Sequence, residues 1–262
     1  MAVSMMSHAL RMLWANLGNA ARVSVVPLLL MYLAIIVVGG GGFFAIGGAG
    51  MFDPSAQAAS PGAGAGFGAF LLGLIVFGIA IVFMSWVAIS WHRFVLLEEY
   101  PQSWMPPFRG AEIRSYVGKL ILLSFVYFLI AFLPIIIVAL VAAGAGEGAG
   151  VLLGAVAVLV LLPVFLWISF RLSSVLPAAA VAKEMGIGEA WRETQSHSGT
   201  IFWFGLCYVA VVIGIQIVVA LLGLIPILGF LISIAGSWFV TILGFSALTT
   251  VYGVAVEGRE LT

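Results

Sequence analysis

The sequence predicts an all-α polytopic membrane bundle of six transmembrane helices, with short interfacial helices and both termini on one face. Three observations predict it. Of 262 residues, 64% are hydrophobic and 8% charged, about a third of the charged share of a soluble domain, and the mean hydropathy is +1.26. The apolar residues form unbroken runs near the ~20 needed to cross ~30 Å of hydrocarbon, without the alternation of a transmembrane barrel. All ten Lys and Arg fall on one side of a six-span layout, the sorting that fixes orientation in membranes.

Each element follows in order. Over residues 1–22, Met6, Leu10, Leu13 and Leu17 recur at helical spacing opposite Ser4, His8, Arg11, Asn19 and Arg22, the pattern of an interfacial amphipathic helix. Span one is Val23–Phe44. Its apolar stretch exceeds that of a cleaved signal peptide, so a retained anchor is expected. Gly39–Gly68 and Gly144–Gly150 are Gly/Ala-rich and predict flexible outer linkers. Span two is Ala69–Trp91, followed by Glu98-Glu99-Tyr100 and a Trp104–Phe108 turn in which Pro106-Pro107 breaks any helix. Spans three and four are Lys119–Leu140 and Val151–Phe170, holding Pro134 and Pro163 as expected kinks. Pro177–Met185 predicts a short helix ended by Gly186, and Gly188–Ser198 a second one stopped by Gly199. Spans five and six, Ile201–Leu224 and Leu228–Tyr252, are joined by Ile225-Pro226-Ile227. Their combined run is too long for one crossing. The chain is therefore a single integral domain.

The positive-inside rule places both termini in the cytoplasm. That face holds ten basic residues against eight acidic ones, whereas the outer face has only Asp53 and Glu147. Overall neutrality thus conceals a segregation, and no nucleic-acid partner is implied. A repeat is hinted at by two span exits, Ile89-Ser90-Trp91-His92-Arg93 and Ile168-Ser169-Phe170-Arg171.

Inside the hydrocarbon core the spans contain no Asp, Glu, Lys, Arg or His, which argues against a coupled carrier because such proteins place charge at the midplane. Gly229, Ser233, Ser237 and Thr241 repeat at i+4 on span six, and Gln216 is the long polar side chain of span five. Helix packing with interhelical hydrogen bonds is the favoured reading, and a polar pathway is the alternative. Arg93, Arg171 and Arg192 are candidate contacts for lipid phosphates or partners. Arg93 and Arg171 could instead pair with Glu184, Glu189 or Glu193, or serve as snorkelling anchors. His8, His92 and His197 have no ligand spacing, and no HExxH, GxSxG or P-loop is present. A single cysteine, Cys207, excludes an intrachain disulfide. No metal, cofactor or catalytic residue is expected.

The stretch Phe170-Arg171-Leu172-Ser173-Ser174-Val175-Leu176-Pro177-Ala178-Ala179-Ala180 continues through Gly186, Ala190-Trp191-Arg192 and Gly199-Thr200-Ile201-Phe202-Trp203. It resembles the membrane domain attached to some bacterial glycerophosphodiester phosphodiesterases and related six-span proteins, over about 35 residues. The resemblance implies a bacterial inner-membrane module. No extramembrane stretch is long enough for the catalytic barrel of those enzymes, so hydrolysis is not implied. The expected function is a non-enzymatic scaffold, assembly factor or accessory subunit, in contact with membrane lipids and other membrane proteins. The alternative is a lipid binder, or a transporter or channel for a small neutral solute.

Overall fold

A computed structural model describes residues 1–45, 63–225 and 227–261. Those residues are mostly helical and contain no strand: α1 (Ala2–Ala15), α2 (Leu17–Ala45), α3 (Ala63–Leu97), α4 (Gly110–Gly144), α5 (Glu147–Leu172), α6 (Val175–Ala180), α7 (Ile187–Glu193), α8 (Ser198–Leu222) and α9 (Leu228–Ala255). Six of them, α2, α3, α4, α5, α8 and α9, are long and apolar enough to cross a membrane. The protein is a multi-pass membrane protein.

Several boundaries differ from the sequence expectation, each for a physical reason. Asn16 ends α1, so Asn19 and Arg22 belong to α2. Met5, Met6, Ala9 and Leu13 of α1 are buried because α1 docks on α8 and α9 instead of lying free in the interface. Gly144–Gly150 is not a linker. Helix α4 runs to Gly144 and α5 starts at Glu147, because small residues let two helices approach closely in lipid. A Cβ on Gly150 would stand 2.7 Å from the Ala142 carbonyl oxygen. Of Gly39–Gly68, residues 46–62 lie outside the described ones, as does Asp53, but the flanks are helical. The first short helix, α6, ends at Ala180, and Ala182 takes the left-handed conformation. Gly186 instead precedes α7 as its N-cap, and Gly199 lies inside α8. The turn around Pro106-Pro107 is non-helical as expected, while α2 also contains Pro27.

Three hairpins, α2–α3, α4–α5 and α8–α9, make up the membrane part. Helices α3, α4, α5, α8 and α9 touch in that circular order, and α9 closes back on α3. Helix α6, buried along its whole length, packs against α3, α4 and α9. All ten basic residues lie at this end of the bundle, here called the basic end.

Burial is confined to that end. On α2 no described residue beyond Met31 is buried, on α4 none beyond Leu123, and on α8 none beyond Gly205. On α3 none precedes Ser85, on α5 none precedes Phe170, and on α9 none but Gly229 precedes Ile242. Distally, the tight glycine contacts lie within hairpins: Gly42 on Leu72, Gly150 on Ala142, Gly236 on Val219. A polar tie crosses between hairpins nearer the basic end, where Trp238 donates to Ser24 Oγ at 2.8 Å. The bundle is a tripod of hairpins, closed at the basic end and parted above it.

Candidate functional site

The basic end is held by three arginines that do the same work. Helix C-termini leave carbonyls without partners, and a cation placed there also meets the negative end of the helix dipole. Arg93 Nη1 donates to Ala180 O at the end of α6 (3.0 Å), and Arg259 Nη2 to Leu96 O at the end of α3 (2.7 Å). Arg171 Nη2 donates to Trp191 O in the last turn of α7. Arg93 lies near the end of α3, Arg171 near the end of α5, and Arg259 beyond the end of α9. Arg259 comes from the tail behind α9, so each hairpin contributes one.

Their charges are balanced differently. Arg93 grips Glu99 with two donors, Nε at 2.9 Å to Oε2 and Nη2 to Oε1, and Arg109 reaches the same carboxylate at 2.9 Å. The hydrogen bond from Arg93 holds the Glu99 carboxyl below its usual range. Glu112 completes the cluster at 3.8 Å from Arg93. Glu257 takes Lys183 Nζ and Arg259 Nε, both at 2.7 Å. Burial pushes the Glu257 carboxyl up, but those two cations outweigh it and leave it low, while Glu257 raises Lys183.

Arg171 is the exception. Its residue is 3% exposed, yet among the described residues no carboxylate pairs with it. Nε donates to Thr194 Oγ1 at 3.0 Å, and the guanidinium carbon sits 3.4 Å from the Trp191 ring centroid and 5.3 Å from that of Trp167. Two indoles and a carbonyl replace the anion. The pairing of Arg93 and Arg171 with Glu184, Glu189 or Glu193 is therefore not formed. Arg192, by contrast, is exposed and has no partner among the described residues.

Between these clasps lies a buried polar chain that sequence reasoning missed. His92 is fully buried. Its Nδ1 is 2.7 Å from Thr249 Oγ1, and Thr249 donates onward to Phe245 O at 2.7 Å. The hydroxyl proton being so used, the Nδ1 proton of the ring points to Thr249, and Nε2 faces Tyr116 OH at 3.5 Å. The imidazole thus has a partner on both sides, and it joins α3, α4 and α9. No group of three metal-ligating side chains occurs among the described residues.

Thr249 also borders a cavity of ≈ 330 Å³. Its walls are α1, the end of α3 with the turn behind it, the end of α9, and the tail. Residues this far apart in the chain leave no local pattern to read.

The small-residue stripe on α9 behaves otherwise than its spacing suggested. Gly229 is a packing residue, since a Cβ there would meet Gly223 O at 2.4 Å. Ser233 and Thr241 donate within their own helix, to Gly229 O (2.7 Å) and Ser237 O (2.8 Å). Among the described residues the stripe's hydroxyls make no interhelical hydrogen bond, and Ser233 and Ser237 are exposed. Gln216 is exposed too and has no partner among the described residues. It lies about three turns along α8 from Gly205, on the same face, and Gly205 packs on Phe170 of α5. About three turns back along α5, Leu159 is 74% exposed. Gln216 is therefore an exposed amide on the apolar length of α8.

The chain matches no known protein family, no curated protein and no solved structure.

Proposed function

We propose that this protein is a non-enzymatic scaffold, assembly factor or accessory subunit that receives helices of other membrane proteins between its hairpins. One observation carries the reading. In α3, α4 and α5 no part of the most apolar eighteen-residue window is buried, although a bundle that packs on itself buries a stripe along every helix. A tripod anchored at one end and open above it suits helix insertion. The sorting of Lys and Arg supports a cytoplasmic basic end with both termini inside. The resemblance of residues 170–203 to a membrane module supports a bacterial inner membrane, and those residues run from the end of α5 through α6 and α7 into α8.

Site-directed photocrosslinking tests this reading. A photoreactive residue at Leu133, Ile137 or Leu159 should give discrete protein adducts in native membranes, whereas one at exposed Trp104 should not. Adducts with lipid alone at all three distal positions would overturn it.

A second reading has its own support, the exposed Gln216 amide and the Ser233 and Ser237 hydroxyls in the same hairpin. An amide in hydrocarbon without a partner is costly, and the head of a lipid or a small neutral solute could satisfy it. Gln216→Leu would then abolish lipid binding or uptake, while leaving protein adducts from Leu159 unchanged.

A further inference from the structure

We infer that the cavity at the basic end binds a primary ammonium group carried on a short apolar body. Its ≈ 330 Å³ falls in the range of small-ligand sites. The charge of its lining selects the ligand. Glu98 and Glu260 border the cavity, and among the described residues neither has an ion-pair partner. The lining cation Arg259 is already committed, with Nε on Glu257 and Nη2 on Leu96 O, and the other basic side chain of the lining, His8, is not free either. An anion entering here would face two unbalanced carboxylates and no free guanidinium. A cation would supply the charge that is missing.

The walls suit the rest of such a molecule. Phe94 and Tyr100 meet edge to face, with centroids 5.3 Å apart, and both line the cavity. Aromatic faces attract cations, and Met12 and Leu261 add apolar surface. Recognition therefore combines two carboxylates for the head with an aromatic and aliphatic wall for a body of a few carbons. The site stands apart from the distal faces of the hairpins and does not depend on what they bind.

An ammonium group could reach this level from a lipid headgroup or from a soluble amine. The test uses the full chain in uncharged maltoside micelles, titrated calorimetrically with hexylammonium at pH 7, with hexanol as the uncharged control. Hexylammonium should saturate one site and hexanol should not. The double variant Glu98→Gln/Glu260→Gln, changed only at exposed side chains, should bind at least tenfold more weakly. Tyr100→Ala should also weaken binding while the helical signal stays constant. Equal binding of hexanol, no saturation, or an unchanged double variant would each overturn the site. Phosphatidylethanolamine added to the micelles names the source. A weaker hexylammonium affinity than with added phosphatidylglycerol makes the lipid headgroup the occupant, and equal affinities make it a free amine.

Discussion

Replacing Arg171 separates two ways of holding α7 on the bundle. Its two hydrogen bonds, to Trp191 O and Thr194 Oγ1, are charge-assisted and contribute about 1.5–3 kcal/mol each. The stack on Trp191 at 3.4 Å adds about 2 kcal/mol when desolvated. Against this stands the desolvation of a cation that is 3% exposed and has no carboxylate partner, a cost of several kcal/mol. The net contribution is then only about 2 kcal/mol, which is the expected loss for Arg171→Met. Arg171→Lys keeps the buried charge, loses the planar fork and its stack, and retains at most one of the bonds. It should cost about 3–4 kcal/mol, more than the uncharged substitution. The assay is unfolding of the chain in mixed micelles by increasing SDS, read by tryptophan fluorescence, with Trp167→Phe as a background control. If Lys is tolerated within about 0.5 kcal/mol while Met is severe, bare charge holds the layer and the fork-and-stack argument fails.

Other consequences follow from the same contacts. Glu99 is held low by Arg93, so its folded pKa lies under the unfolded value near 4.3. Its contribution is present above that value and is lost as pH falls through the folded pKa. Glu99→Gln should therefore destabilise by about 1 kcal/mol or less at pH 7, and the gap from the native protein should close below about pH 4. A gap constant from pH 7 to 3.5 would contradict the pairing. Gly229→Ala places a Cβ 2.4 Å from Gly223 O and should cost about 1–3 kcal/mol. Gly214→Ala, with nothing within 4 Å, should gain up to about 1 kcal/mol, and the opposite order in an SDS unfolding series would refute the contact.

The membrane class and the six spans could be read from the sequence because unbroken apolar runs and sorted charge survive any detail of packing. The misread parts share a cause. Gly144–Gly150 looks like a linker by composition, but in lipid the same residues let α5 close on Ala142. The i+4 spacing of Gly229, Ser233, Ser237 and Thr241 was legible, but not the fact that hydroxyls would turn to carbonyls of their own helix. Arg93 and Arg171 stood out as span-exit residues, yet their acceptors, Ala180 O and Trp191 O, are backbone atoms that no side-chain pattern announces. The cavity joins Met12, Glu98, Thr249 and Glu260, brought together only by closure of α1, α3 and α9. His92 was visible as a boundary residue, and its burial follows from Tyr116 and Thr249 on two other helices.

The central claim is that the hairpins are fixed to one another at the basic end and unfixed above it. Electron–electron double resonance on the chain in nanodiscs measures this directly, with Cys207 replaced by Ser. One spin-label pair joins Arg114 to Arg192 at the basic end, and another joins Val141 on α4 to Leu224 beyond α8. A narrow distance distribution for the first pair and a broad one for the second is predicted, because segments without shared buried contacts move independently. Two equally narrow distributions would contradict the account.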